Sequence, residues 1–114
     1  MQETKKINEK LFLNINGVRQ GMFLKGADIH NPVLLYLHGG PGSPEIAFDS
    51  DSPSGLDKMF IVCWWEQRGA GISYSKKIPA ESMCIKQLVE DAIAVTDYLQ
   101  ERFKKEKIYL LGHS

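Results

Sequence analysis

The sequence predicts an α/β fold, and three observations carry that prediction. Uninterrupted apolar runs occur at 33–37 (VLLYL), at 59–65 (MFIVCWW) and at 108–111 (IYLL). A run without polar alternation suits a strand covered on both faces, as in a parallel sheet flanked by helices. Between the last two runs, Ile85, Leu88, Ala92, Val95, Leu99 and Phe103 recur every three or four residues, which gives a helix with one apolar stripe. Strands that alternate with helical segments argue for α/β architecture.

The elements follow in order. After a polar lead, "KLFLNINGVRQGMFLKG" carries Asn16-Gly17 between two strand-type runs. Both residues tolerate positive φ, which a tight type I′ turn demands, so strands are predicted at 10–15 and 18–25 as an antiparallel hairpin. Period-two alternation puts Leu11, Leu13 and Ile15 on one face. The strand at 33–37 leads into a loop-rich stretch, 43–58, with a short helix expected around Glu45–Phe48. The strand at 59–65 leads into the Gly/Ser/Pro loop "EQRGAGISYSKKIPAE". Ser82 is the expected N-cap of the long helix. The basic run Arg102, Lys104, Lys105 and Lys107 falls at the helix end, where cations offset the dipole.

Bulk properties narrow the function classes. The 114 residues make one domain at most. The 14 Lys and Arg balance 14 Asp and Glu, so no field steers the chain toward nucleic acid or an anionic membrane. No apolar stretch of about 18 residues exists, and the polar start "MQETKKINEK" has no signal-peptide core. Cys63 and Cys84 form no CxxC pair, which fits two reduced thiols in a cytoplasmic protein. Neither cysteine has ligand spacing to His30, His38 or His113, so no metal and no cofactor is expected.

Three loops carry candidate chemistry, each directly after a predicted strand. Gly112-His113-Ser114 matches the first three positions of the G-x-S-x-G nucleophile elbow, in which a sharp strand-to-helix turn exposes the serine Oγ. Alone, the triplet also fits an ordinary strand-end turn. His38-Gly39-Gly40-Pro41-Gly42 follows the strand at 33–37. Adjacent glycines let backbone N–H groups approach a reacting atom closely, as an oxyanion hole requires, and Pro41 stiffens the loop. The third loop, Glu66-Gln67-Arg68-Gly69-Ala70-Gly71-Ile72-Ser73, is expected to be structural, with Glu66, Arg68, Gly69 and Gly71 shaping it and Arg68 tied to Glu66 or to Asp91. Carboxyl ends of parallel strands are where α/β proteins place ligands.

"LHGGPGSP", "WWEQRGAGISYS" and "LLGHS", in this order and spacing, resemble the α/β-hydrolase superfamily, and within it the proline iminopeptidase-like (prolyl aminopeptidase) branch. That branch usually has DQRG where this chain has Glu66, a conservative departure. The resemblance spans nearly the whole chain. It implies the N-terminal part of an α/β-hydrolase core, with spatial strand order 1-2-4-3-5 and the hairpin antiparallel at one edge. It implies Ser114 as nucleophile, the Gly40 N–H as oxyanion donor, and Gly39 and Gly40 as substrate-binding. The triad acid and histidine, the second oxyanion donor and the cap domain would come from sequence beyond residue 114; neither His38 nor His113 replaces the base.

The expected parent is a serine hydrolase acting on a small peptide, amide or ester, with the fragment alone inactive. The alternatives are an esterase, lactonase or C–C bond hydrolase of the same fold, or a non-catalytic binding module. No nucleic-acid or membrane partner is expected. The last strand, left with an unpaired edge, is expected to pair with a copy of itself.

Overall fold

A computed structural model describes residues 5–37 and 55–112. Five strands form one sheet: β1 (Ile7–Ile15), β2 (Val18–Gly26), β3 (Val33–Leu37), β4 (Ile61–Glu66) and β5 (Tyr109–Gly112). Their spatial order is β1-β2-β4-β3-β5, as expected. β1 and β2 are antiparallel, β2 meets β4 antiparallel, and β3 runs parallel to both β4 and β5.

The hairpin turns at Asn16 (φ 51°) and Gly17 (φ 87°), both left-handed, with Ile15 opposite Val18. Its strands run longer than predicted, because Ile7, Asn8 and Glu9 also pair with β2, which extends to Gly26. Leu11, Leu13 and Ile15 do share a face, packed on the main core.

Two helices cover opposite faces. Helix α2 (Ile85–Phe103) lays Val95 and Leu99 against Met22, Leu24, Val33, Leu35, Ile61, Cys63 and Trp65. The single turn α1 (Leu56–Met59) belongs to the other face, where Leu56 and Phe60 pack on Leu34, Val62 and Trp64. Every residue of β4 is buried, which is why its sequence shows no alternation.

Three expectations need correction, and a fourth is not tested by the described residues. Met59 ends α1 and Phe60 caps it, so β4 starts at Ile61 and not at 59; α1 itself lies in a stretch expected to be loop. The helix expected around Glu45–Phe48 lies outside the described residues. Cys84, in extended geometry, is the N-cap of α2, and no side chain caps it. Ser82 sits in a preceding 3-10 turn, where its Oγ donates to the Pro79 carbonyl and accepts from Arg68. Ile85, expected on the apolar stripe, is 81% exposed. The line that packs is Asp91, Val95 and Leu99, spaced by four.

The α2 C-terminus closes at Lys104 (φ 55°) in left-handed geometry. Arg102 donates to both Glu9 carboxylate oxygens, at 2.6 and 2.8 Å, and so ties the helix end to β1. Those hydrogen bonds hold the Glu9 carboxyl below its usual range and push the Arg102 guanidinium up.

Candidate active site

The chain moves from β3 to β4 on one side, then crosses back over β3 to reach β5 on the other. Parallel crossovers are right-handed, so the two connections lie on opposite faces of the sheet. The positions of α1 and α2 agree with this. Strand order therefore reverses at β3. Such reversals open a crevice at the carboxyl ends, and ligands bind there.

Leu37, the last residue of β3, pairs with Trp65 on one side and with Gly112 on the other. The chain segments that carry Gly39-Gly40 and Ser114 thus begin at neighbouring strand ends, about 4.8 Å apart. Ser114, Gly39 and Gly40 themselves lie outside the described residues, as do His38 and His113.

The loop after β4 is described in full. It folds back onto the hairpin rather than across the β3–β5 ends. Glu66 is buried; its Oε1 accepts the Ile72 N–H at 2.7 Å, and its carbonyl accepts the Ser73 hydroxyl. Ser73 Oγ in turn accepts the Gly21 N–H of β2 at 2.7 Å. Gly69 (φ 83°) and Gly71 (φ 48°) take the left-handed geometry that this tight return requires.

Arg68 pairs with Asp91 and not with Glu66. Its Nε donates to Oδ2 at 2.9 Å and its Nη2 to Oδ1 at 3.0 Å. The side chains of this pair are 2% and 0% exposed. Asn16 from the hairpin turn, Gln20 from β2 and Gln87 from α2 also donate to the Asp91 carboxylate, at 2.9, 3.1 and 3.0 Å. Trp65 Nε1 donates to Gln20 Oε1 at 3.0 Å. Burial pushes the Asp91 carboxyl up, but hydrogen bonds from Arg68, Asn16, Gln20 and Gln87 outweigh it and hold the group below its usual range. One buried carboxylate therefore joins the hairpin, the loop after β4 and α2, and fixes the elements that frame the carboxyl edge.

Sequence reasoning missed Asn16, Gln20 and Gln87 as partners of this carboxylate. Their signal was there to find: Gln20 shares the inward face of β2 with Met22 and Leu24, and Asp91 lies four residues before Val95. A polar group at an inward position implies a partner.

Other chemistry-bearing groups stand apart. Cys63 is fully buried, and desolvation raises its thiol pKa far above the ordinary value, so it is unreactive. Among the described residues no cluster of His, Cys, Asp and Glu is placed to hold a metal ion, and no helix is long and apolar enough to cross a membrane. A cavity of about 620 Å³ lined by Lys5, Ile29, Arg102 and Phe103 opens at the opposite end of the sheet.

A 1-2-4-3-5 sheet with an antiparallel hairpin at one edge, and a reversal at its third strand, is the amino-terminal part of an α/β-hydrolase fold. The relatives narrow this further. The chain is 44% identical over 112 residues to YbaC of Bacillus subtilis (strain 168), a probable aminopeptidase. That match takes in 98% of this chain and 35% of the relative, so the chain spans about a third of the curated relative's length.

Among solved structures, a proline iminopeptidase-related protein of Thermus thermophilus superposes with a TM-score of 0.74 at 26% identity, over 94% of this chain and 36% of that one. An epoxide hydrolase of Vigna radiata gives 0.70 at 25% identity, over 94% and 32%. No protein-family model matches. The probable aminopeptidase and the iminopeptidase-related structure agree with the resemblance read from the three motifs, to α/β hydrolases of the proline iminopeptidase-like branch, and the epoxide hydrolase shares the fold.

Proposed function

We propose that residues 1–114 are the amino-terminal portion of a serine hydrolase whose complete form removes an N-terminal residue, proline in the first instance, from small peptides. One observation carries the reading: the strands leading to Gly39-Gly40 and to Ser114 are hydrogen-bonded neighbours with aligned carboxyl ends at Leu37 and Gly112. The names of the aminopeptidase and iminopeptidase-related relatives support the substrate class.

In this reading Ser114 Oγ attacks the scissile carbonyl, and a histidine encoded further along takes the serine proton and returns it to the leaving amine. The Gly40 N–H donates to the oxyanion. A serine hydroxyl without its base is a poor nucleophile at neutral pH, so the 114-residue chain alone is expected to show no turnover. The reduced thiols Cys63 and Cys84 support a cytoplasmic setting.

The test compares the 114-residue chain with the longer protein carrying it, on proline-naphthylamide and short-chain nitrophenyl esters. Turnover by the longer protein that vanishes in S114A supports the proposal; serine-dependent turnover by the short chain refutes the inactivity. The epoxide-hydrolase neighbours favour a second reading, ring opening of an epoxide by the same fold. Hydrolysis of styrene oxide in preference to amide and ester would select it.

A further inference from the structure

The charges of the chain cancel in sum but are not evenly spread. At the amino ends of the parallel strands, a cavity of about 620 Å³ is walled by three segments: the lead into β1, the turn between β2 and β3, and the end of α2. Lys5, Lys6, Arg102 and Lys104 line it, and among its lining residues Glu9 is the one carboxylate. Glu9 is already taken, because both its oxygens accept from Arg102. His30, also in the wall, is paired with Asp28 at 2.8 Å. Lys5, Lys6 and Lys104 are exposed, and among the described residues no carboxylate pairs with their ammonium groups. Lys105 adds a cation at the border, where its Nζ donates to the His30 carbonyl at 3.3 Å.

The helix end explains only part of this excess. Lys104 and Lys105 offset the α2 dipole. Lys5 and Lys6 precede a strand and have no such dipole to meet. A second cavity, of about 400 Å³, shares Lys6, Ile7 and Asn8 with the first and adds Lys25 and Lys58 against Asp57. The positive excess therefore continues around this end of the sheet. Both cavities lie against β1, the edge opposite β5, and described residues build their walls.

We propose that the larger cavity binds an organic oligophosphate of the nucleoside triphosphate class. A ligand with one carboxylate would leave most of these ammonium groups uncompensated, whereas a triphosphate matches three or four of them. Lysine suits it as a point charge for phosphate oxygens, while the bidentate arginine is spent on Glu9. Half-buried Ile7, Ile29 and Phe103 give the cavity an apolar wall for the organic body. Its volume falls in the range of about 300–1,000 Å³ typical of small-molecule sites. The inference uses none of Gly39, Gly40 and Ser114 and is independent of the proposed acyl transfer.

The test titrates the longer protein carrying this chain with ATP, with inorganic tripolyphosphate and with adenosine, in EDTA, by calorimetry. Expected is one equivalent of ATP with a Kd of about 1 mM or tighter, weaker tripolyphosphate and no adenosine binding. Lys5→Gln with Lys104→Gln should weaken ATP about tenfold or more, and 1 M salt should weaken it in the native protein. Lys76→Gln with Lys77→Gln removes the same charge from exposed positions in the loop after β4 and should change nothing.

Circular dichroism melts establish that both variants fold. In the native protein, ATP should slow amide exchange at residues 5–9 and 102–105, a reading that needs no variant. Absence of ATP binding, tripolyphosphate bound as tightly as ATP, equal loss in the two double variants, or protection confined to other segments overturns the proposal. ATP binding without peptidase turnover leaves this inference standing and removes the proposed chemistry instead.

Discussion

Asp91→Asn tests the buried carboxylate that joins three elements. The substitution keeps the shape and removes the charge. Asp91 Oδ1 accepts from Asn16, Arg68 and Gln87, whereas Oδ2 accepts from Gln20 and Arg68. The less damaging orientation puts the new amide nitrogen at the Oδ2 position, where it faces two donors and can accept from neither. Arg68 then keeps its charge in a site where its side chain is 2% exposed. Removing one partner of a buried pair costs about 3–5 kcal/mol.

With a urea m-value of about 1.5 kcal/mol/M for a chain of this size, the unfolding midpoint drops by about 2–3 M. Urea titration by circular dichroism measures it, with Asp97→Asn, on the exposed side of the same helix, as the control. A midpoint shift under about 0.5 M for Asp91→Asn would show that the carboxylate is not holding these elements together.

Three more outcomes are expected. The Asp91 carboxyl is depressed in the fold, so its contribution is complete above the unfolded value of about 3.9 and is lost as pH falls through the folded value; acid unfolding below about pH 4 should be steep in the native chain and shallower in Asp91→Asn. Gly21→Ala places a Cβ 2.2 Å from Ile72 Cδ1 and 2.9 Å from Phe12 Cε1, and thermal unfolding should show a loss of about 1–3 kcal/mol. Arg102→Ala breaks a pair with Glu9 whose side chains are 28% and 42% exposed, so solvent screening limits the loss to less than about 1 kcal/mol, and double-mutant cycles should find the coupling fading in 1 M salt.

The backbone plan was legible because each element has a local cause. Asn16-Gly17 dictates the hairpin turn, and the unbroken run of β4 dictates burial on both faces. Strand order came from the family resemblance. Side-chain tasks were less legible. Ile85 shares the helical period of Val95 and Leu99, yet it is exposed, because periodicity marks apolar positions without saying which neighbour covers them. Ser82 suits an N-cap by type, but a 3-10 turn shifts the helix start to Cys84 and leaves the serine to Arg68. Arg68 offered two acidic partners by charge alone; the fold pairs it with Asp91, while the Glu66 carboxylate accepts the Ile72 N–H.

The central claim is that the segments following Leu37 and Gly112 meet to perform acyl transfer. Its most direct test is covalent labelling of the longer protein with a fluorophosphonate, followed by mass spectrometry of the labelled peptide. The account predicts one equivalent of label on Ser114, none in S114A, and labelling slowed about 100-fold or more in Gly40→Pro, which lacks the oxyanion N–H. Label on another residue, or full peptidase turnover in S114A, would contradict it.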